Sequence, residues 1–172
     1  MEITIREGGH DDVPAILGML DSCVEWLVGQ GRTGQWGDQP LSERQKTVES
    51  VVRYMDEGDV YIAEADGVPA ATLTLTDAPG AYLSHLPPPG EPERYIHWLA
   101  SDRRFKGHGV GSALLSHAAE ETRRAGVALL RVDCYAGDDG KLVRYYESNG
   151  FLRTETYTGQ NDWPGQVLAR RV

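Results

Sequence analysis

This chain is organised around the stretch Lys106-Gly107-His108-Gly109-Val110-Gly111-Ser112-Ala113-Leu114-Leu115. Three alternating glycines are followed at once by an apolar helical pattern, in which Val110, Ala113 and Leu114 share one face. Glycine lets a ligand approach the backbone closely, and the first turn of a helix has unpaired N–H groups. These donors and the positive end of the helix dipole attract anions. The stretch therefore predicts a cradle for a pyrophosphate, with Lys106 adding a positive charge.

Two other phosphate-binding loops do not fit this stretch. A P-loop ends in Gly-Lys followed by Ser or Thr, whereas this stretch ends in Gly111-Ser112 without the lysine. A dinucleotide fingerprint needs a third glycine, but counting from Gly107 gives Ser112 and counting from Gly109 gives Leu114. What remains is the pattern Lys-x-x-Gly-x-Gly leading into a helix. Taken alone, this pattern is equally consistent with a glycine-rich turn that enters a core helix.

Length and composition indicate a single globular domain over residues 1–172. Hydrophobic residues make up 40% and charged residues 25% of the 172 residues. No apolar run is long enough to span a membrane, and the N-terminus lacks the blocks of a signal peptide. Cys23 and Cys134 are far apart and form no metal-ligand spacing. We therefore expect no metal site, reduced thiols and a cytoplasmic location, with no membrane partner.

The net charge of −9 argues against one class of partner, the nucleic acids. A nucleic-acid binder needs lysine and arginine to neutralise phosphates, so we expect no nucleic acid. An acidic protein concentrates cations such as amines around itself. The same charge is also explained by solubility alone, so it gives only weak support for a cationic substrate.

Turn signals and apolar periodicity predict the element order β-α-α-β-β-β-α-β-α-β-β. Asp66-Gly67 is a hairpin signal, and Gly150 suits a left-handed helix cap. Ser42 and Gln45 have the spacing of a capping box, and Asp138 or Asp139 can cap the last helix. The order predicts an α/β (α+β) fold, in which a mixed, mostly antiparallel sheet of seven strands carries helices on both faces.

A second motif lies one strand and one helix after the glycine loop. It reads Tyr145-Tyr146-Glu147-Ser148-Asn149-Gly150-Phe151. This segment resembles the Tyr-x-x-x-Gly-Phe segment of the GNAT superfamily of acetyl-CoA-dependent N-acetyltransferases. The glycine loop resembles that family's Arg/Gln-x-x-Gly-x-Gly/Ala loop. The two motifs have the family's order and separation, and the element order matches along nearly the whole chain.

The resemblance implies acetyl-CoA as cofactor and a GNAT fold in which strands 4 and 5 splay apart around its pantetheine arm. It implies that the backbone at the end of strand 4 pairs with this arm, and that the loop amides hold the pyrophosphate. It also implies that Tyr146 faces the thioester sulfur, where a neutral phenol can act as general acid. The positions so matched to the cofactor are Leu99, Ala100, Ser101, Lys106, Gly107, His108, Gly109, Val110, Gly111, Ser112, Asp139 and Tyr146.

Three positions depart from the family pattern. Lys106 replaces the usual arginine or glutamine, so the positive charge is kept and the planar fork is lost. Asp139 stands where many members have an asparagine that touches the cofactor, and an ionised aspartate cannot donate that hydrogen bond. Cys134 stands where a branch that acts on ribosomal protein N-termini has a glutamate base. The chain therefore lacks the base of that branch.

The acceptor amine must lose a proton before it attacks the thioester. A lysine-like amine has a pKa near 10.4, so deprotonation at neutral pH costs about 4 to 5 kcal/mol. His97 and Glu93 are the candidate bases, with Asp133 and Asp38 as further possibilities. His97 is followed by Trp98, so alternation places one of the two on the cleft side. A histidine hydrogen-bonded beneath a helix is an equally consistent interpretation.

These features predict an N-acetyltransferase that moves an acetyl group to a primary amine of a small molecule or peptide by direct attack. The acceptor is expected at Trp36, Asp133 and Trp163, together with the loop over residues 77–93. Three alternatives remain open: transfer of a longer acyl group, acetylation of a protein N-terminus, and a catalytically silent CoA-binding sensor. A homodimer through the C-terminal strands is implied by family analogy alone.

Overall fold

The computed structural model describes residues 1–172 and contains the predicted seven strands and four helices. The strands are β1 (Ile3–Glu7), β2 (Asp59–Ala65), β3 (Val68–Thr76), β4 (Arg94–Ser101), β5 (Leu129–Tyr135), β6 (Leu152–Thr158) and β7 (Pro164–Arg171). The helices are α1 (Val13–Gly29), α2 (Gln45–Glu57), α3 (Val110–Arg124) and α4 (Lys141–Ser148). The predicted element order is confirmed.

All seven strands form one mixed sheet in the order β1-β2-β3-β4-β5-β7-β6. Only β4 and β5 are parallel, and they pair only at Arg94 with Leu130 and Tyr95 with Arg131. Beyond Tyr95 the two strands diverge, so β4 has no strand partner on that side from Ile96 onward. The predicted mostly antiparallel sheet with splayed strands 4 and 5 is therefore confirmed.

The helices cover opposite faces of the sheet. Alternate residues of a strand point to opposite faces, and β2 shows both sides. Tyr61 and Ala63 belong to a buried cluster with Leu114 of α3, whereas Ile62 belongs to one with Leu20 of α1. Thus α3 and α4 cover one face, while α1 and α2 cover the other. The cleft described below opens between these layers, where β4 and β5 separate.

One extra residue in β4 changes which side chains face the cleft. Thr74 of β3 is opposite His97, but Thr72 is opposite Ala100, so three steps on β4 match two on β3. Within this bulge Trp98 has a φ of 51°. A bulge re-aims the side chains around it. The expectation that His97 and Trp98 point to opposite sides is therefore wrong, because both line the same cleft.

Several local predictions can be compared with the backbone. Asp66-Gly67 has φ values of 49° and 80°, which confirms the hairpin turn, and Gly150 has the predicted left-handed φ of 89°. The capping box at Ser42 is wrong, because α2 follows Arg44 without a side-chain cap. Asp138 and Asp139 do not cap α4 either, since Gly140 is the residue before that helix.

No helix of the chain is both long and apolar enough to cross a membrane. Cys23 and Cys134 are both free thiols.

Candidate active site

The divergence of β4 and β5 opens a cleft with two connected parts. The first part, here called the loop cleft, is lined by the glycine loop, the end of β4 and α1, and has a volume of about 820 Å³. The second part, here called the aromatic cleft, lies beside α2 and β5 and has a volume of about 310 Å³. Five residues line both parts: Gln35, Trp36, Leu99, Leu142 and Tyr146. These residues mark the junction at which two ligands would meet.

The glycine loop is built as an anion cradle. Gly107 and Gly109 have φ values of 80° and 76°, which residues with a Cβ rarely adopt. Their amides and those of residues 110–112 donate no backbone hydrogen bond, and the first such bond into α3 runs from Ala113 to Gly109. Several free donors therefore collect at the positive end of α3. This arrangement fits the pyrophosphate of acetyl-CoA.

Most of the predicted cofactor positions line the loop cleft. They are Leu99, Ala100, Ser101, Lys106, Gly107, Gly109, Val110, Gly111, Ser112 and Tyr146. His108 and Asp139 do not line it. Asp139 is exposed at the turn before α4, where its carbonyl accepts a hydrogen bond from Arg144. The cofactor contact predicted for Asp139 is thus not supported by its position.

Sequence reasoning missed a group of cations around Trp26 in the loop cleft. The Arg103 guanidinium lies 3.7 Å from the centre of the indole ring, and its Nε and Nη2 are buried without a hydrogen-bond partner. Arg32 and Lys106 approach the same ring at 5.2 and 5.4 Å. Such pairs are stabilised by the charge distribution of the ring. Arg103 and Lys106 also add positive charge to the cleft that would hold the phosphates, whereas Arg32 is paired with Asp138 at 3.0 Å.

Tyr146 lies at the junction of the two parts of the cleft. Its side chain is buried against Phe151, with ring centroids 5.8 Å apart, and its hydroxyl makes no hydrogen bond within the protein. Burial raises the pKa of Tyr146 well above its ordinary value, so the phenol keeps its proton at neutral pH. It is thus available as a proton donor where the clefts meet.

The neighbouring Tyr145 faces only the loop cleft. Its hydroxyl packs so closely against Gly111 that a Cβ at that position would clash with it. The two adjacent tyrosines therefore have different surroundings, as expected for consecutive residues of a helix.

His97 lies on the wall of the aromatic cleft, stacked against Tyr54 of α2. Its Nε2 lies 3.1 Å from the Ala78 carbonyl and 2.8 Å from Thr76 Oγ1. Because a carbonyl only accepts, Nε2 carries the proton and Nδ1 retains its lone pair. Burial lowers the pKa of His97 to about 4, so the ring is neutral at pH 7 and a weak base.

Glu93, the other predicted base, is placed elsewhere. Its carboxylate forms a buried two-point ion pair with Arg131, at 2.7 and 2.9 Å. It lines neither part of the cleft. Both oxygens are held by the guanidinium, and the carboxylate lies outside the cleft that an acceptor would enter. The geometry supports a structural role for Glu93 and not the predicted catalytic one.

Asp133 of β5 lies in the aromatic cleft and accepts hydrogen bonds from three tyrosine hydroxyls. Tyr95 and Tyr157 donate to it at 2.7 and 2.6 Å, and Tyr82 reaches its two oxygens at 2.8 and 2.9 Å. Tyr95 and Tyr157 are buried, whereas Tyr82 is 54% exposed on the loop between β3 and β4. Burial and the charge of Asp133 raise the pKa of all three tyrosines. The three phenols therefore remain protonated donors.

The other two predicted acceptor residues, Trp36 and Trp163, also line the aromatic cleft. The Trp163 indole donates to the Gln35 carbonyl at 2.9 Å, which ties the β6–β7 loop to the α1–α2 loop. Trp36 lies 6.3 Å from Trp98, between ring centroids. The structure thus brings Trp36, Asp133 and Trp163 together, and their role in acceptor binding stays a prediction.

Cys134 faces the aromatic cleft but has no feature of a nucleophile. It is 6% exposed, and burial, assisted by the charge of Asp133, raises the pKa of its thiol to about 12. A thiol of that kind is almost entirely protonated at neutral pH. Cys134 is therefore an unreactive residue in the wall of the cleft. It stands at the position where the GNAT branch that acts on ribosomal protein N-termini has its glutamate base.

Tyr54, Tyr82, Tyr95 and Tyr157 were not singled out from the sequence. Tyr95 is two residues before His97 in a strand, so alternation alone places them on one face. Tyr54 is three residues after Val51 on the buried stripe of α2. Tyr82 and Tyr157 come from a loop and a distant strand, and no local pattern connects either of them with Asp133.

The comparisons with known proteins agree with this geometry. Residues 20–151 match the Acetyltransferase (GNAT) family, so the chain belongs to that family. An uncharacterized N-acetyltransferase of Bacillus subtilis, YesJ, is 29% identical over 150 residues. The aligned region covers 83% of this chain and 77% of the length of YesJ. The structure of a GNAT-family acetyltransferase from Listeria monocytogenes superposes with a TM-score of 0.73 at 20% identity. The match covers 100% of this chain and 96% of the Listeria chain.

A further structural relative is the yncA protein of Salmonella typhimurium, which was solved with its cofactor acetyl-CoA. The match covers 98% of this chain and 93% of the yncA chain at 18% identity, with a TM-score of 0.65. The predicted family, the predicted fold and the predicted cofactor, acetyl-CoA, are confirmed. The loop cleft has the free amides and the positive charge that this cofactor requires.

Proposed function

We propose that the protein transfers the acetyl group of acetyl-CoA to a primary amine of a small molecule or peptide. The observation that carries this proposal is the position of Tyr146, whose protonated hydroxyl lies where the loop cleft meets the aromatic cleft. Acetyl-CoA would supply the acetyl group as a thioester. The amides of Gly107, Gly109 and residues 110–112 would hold its pyrophosphate, and the unpaired edge of β4 would align its arm.

In this proposal the acceptor amine enters through the aromatic cleft and attacks at the junction. His97 is the base that we retain, because its Nδ1 has a free lone pair on the wall of this cleft. Its low pKa makes it a modest base, suited to accept the proton as the N–C bond forms. Tyr146 donates its proton to the departing sulfur, and a backbone amide near the β4 bulge stabilises the developing oxyanion.

The same arrangement favours an enzyme over a silent CoA-binding sensor. A sensor needs only the loop cleft, whereas this chain also has a second cleft with a base, an acid and a carboxylate. A single domain over residues 1–172 contains all of these parts, and we propose no contribution from a partner chain.

Acetyl-CoA and a panel of primary amines, with release of free thiol as the readout, test the proposed function. Amine-dependent thiol release and an acetylated amine in the product would support it. Stabilisation of the protein by CoA, without turnover of any small amine or peptide, would overturn it in favour of a sensor.

A further inference from the structure

The aromatic cleft contains one negative charge with no countercharge. Asp133 takes part in no ion pair within the protein. Arg53 is the one lysine or arginine lining this cleft, and its guanidinium lies over the Tyr54 ring, 4.9 Å from the centroid. The three tyrosine hydroxyls orient the carboxylate but are neutral and leave its charge in place. A partly desolvated charge without a counterion is unfavourable.

The surroundings of Asp133 are suited to a positively charged ligand. The residues that line the aromatic cleft include four aromatic side chains besides those of Tyr54 and His97, namely Trp36, Tyr82, Trp98 and Trp163. Ammonium groups are attracted to the faces of aromatic rings, more strongly where water is excluded. A carboxylate among aromatic rings is therefore a site for an ammonium or guanidinium group.

The position of Asp133 separates this site from the reacting nitrogen. Tyr146 lines both parts of the cleft, whereas Asp133 lines only the aromatic cleft. The lone pairs of Asp133 are already shared among three hydroxyls, so it is poorly placed to take a proton from the acceptor. A cation held by Asp133 is thus a different group from the amine that attacks.

We propose that the acceptor carries a second, non-reacting cationic group, which Asp133 binds inside the aromatic cleft. The substrate class is a compact diamine or amino-guanidine with an apolar body. This inference rests on the proposed function and deepens it. Tyr82, on the exposed β3–β4 loop, donates to the oxygens of Asp133, and the ligand's cation would replace its hydroxyl there.

The test uses matched pairs of acceptors. Each diamine of an increasing length series is compared with the monoamine in which a methyl group replaces the second amine. The wild-type kcat/KM should favour the diamine by about tenfold or more at the best length, as expected for a charged hydrogen bond. In Asp133→Asn this ratio should fall towards one. Asp11→Asn removes the same charge at an exposed position far from the cleft and should keep the wild-type ratio.

A second variant and a second readout cover the case in which Asp133→Asn folds poorly. Tyr82→Phe removes only the exposed donor and should keep or raise the preference for the diamine. Calorimetry of wild type with CoA present should show that the diamine binds at least about tenfold more tightly than its paired monoamine. This binding is measured without turnover, so it separates the inference from the proposed function.

Two results would overturn the inference while the proposed function stands. One is equal kcat/KM for the paired diamine and monoamine in wild type. The other is acetylation of peptide N-termini with neither turnover nor binding of any diamine. Diamine binding that depends on Asp133, without turnover, would support the cationic site and count against the enzyme.

Discussion

The Tyr54 ring lies face to face with the His97 imidazole, with centroids 3.8 Å apart and planes 12° apart. Burial beneath this stack lowers the pKa of His97 and keeps the ring neutral, while the contact between Nε2 and the Ala78 carbonyl orients it at the wall of the aromatic cleft. It connects α2 to β4 at the bulge, next to the proposed site of attack. The contact thus links a packing feature of the fold to the proton acceptor of the proposed reaction.

The lowered pKa of His97 predicts a loss of stability in acid. The unfolded chain binds a proton at His97 near pH 6.5, whereas the folded protein does so only near pH 4. Stability from this group is therefore present above pH 6.5 and is lost as the pH falls towards 4. The loss should reach about 3 kcal/mol at most. Urea unfolding at several pH values measures it.

The control for this prediction is a second histidine variant. His97→Asn should remove most of the pH dependence between pH 6.5 and 4, whereas His85→Asn, at an exposed loop position, should keep it. An identical acid slope in wild type and His97→Asn would show that His97 does not lose a proton on folding.

Tyr146→Phe tests the proposed general acid. The change keeps the buried ring and removes only the hydroxyl, so folding and acetyl-CoA binding should change little. General acids typically contribute about 10²–10⁴-fold in rate, and kcat should fall within that range. Water can also protonate a thiolate, which would place the loss near the lower end. Steady-state kcat on the best amine is the measurement.

Tyr145→Phe is the matched control for this experiment. It removes the same group one position away in α4, where the hydroxyl faces only the loop cleft. Its effect should be a modest change in KM for acetyl-CoA. Equal, small losses of kcat in the two variants would remove Tyr146 from the mechanism.

Gly109→Glu tests the anion cradle. Gly109 has a φ of 76°, and nothing lies within 4 Å of a Cβ built on it. The variant should therefore fold with some backbone strain, of about 1–2 kcal/mol, and should lose CoA affinity because a carboxylate would enter the anion site. Calorimetric titration with CoA is the readout, and we expect at least a hundredfold weaker binding.

Gly126→Glu is the matched control, because it should cause similar backbone strain at a position that does not line the cleft. Gly126 follows α3 with a φ of 73° and has equally open surroundings. This variant should lose similar stability and bind CoA like wild type. If both variants bind CoA equally well, the glycine loop is not the pyrophosphate site.

Glu93→Gln distinguishes a structural carboxylate from a catalytic one. The Glu93 and Arg131 side chains are each 8% exposed, and removing one partner of such a pair leaves a buried charge. The free energy of unfolding should fall by about 3–5 kcal/mol. The folded fraction should retain kcat. Chemical denaturation and kcat on the same sample provide both numbers.

Glu91→Gln serves as the comparison, since Glu91 pairs with Arg171, whose side chain is 66% exposed. Its loss of stability should be much smaller than that of Glu93→Gln. A Glu93→Gln protein of normal stability with kcat lowered a hundredfold would restore Glu93 as the base.

The donor side of the site was predictable because its signals are local. The glycine loop needs left-handed backbone at Gly107 and Gly109 next to a helix start, and both features occupy neighbouring positions. Tyr146 and Gly150 likewise belong to one helix and its end. The element order follows from periodicity and turn residues, which are also properties of short segments.

The acceptor side was decided by tertiary structure alone. The partners of Asp133 come from β4, β6 and the β3–β4 loop, and Glu93 meets its partner across the β4–β5 pairing. The bulge at Trp98 reverses a side-chain direction that simple alternation would assign. The family, the order of elements and the glycine loop were thus predictable from the sequence. Packing between distant segments determined which carboxylate is buried in an ion pair and which one lies in the aromatic cleft, because that depends on contacts that no spacing along the chain encodes.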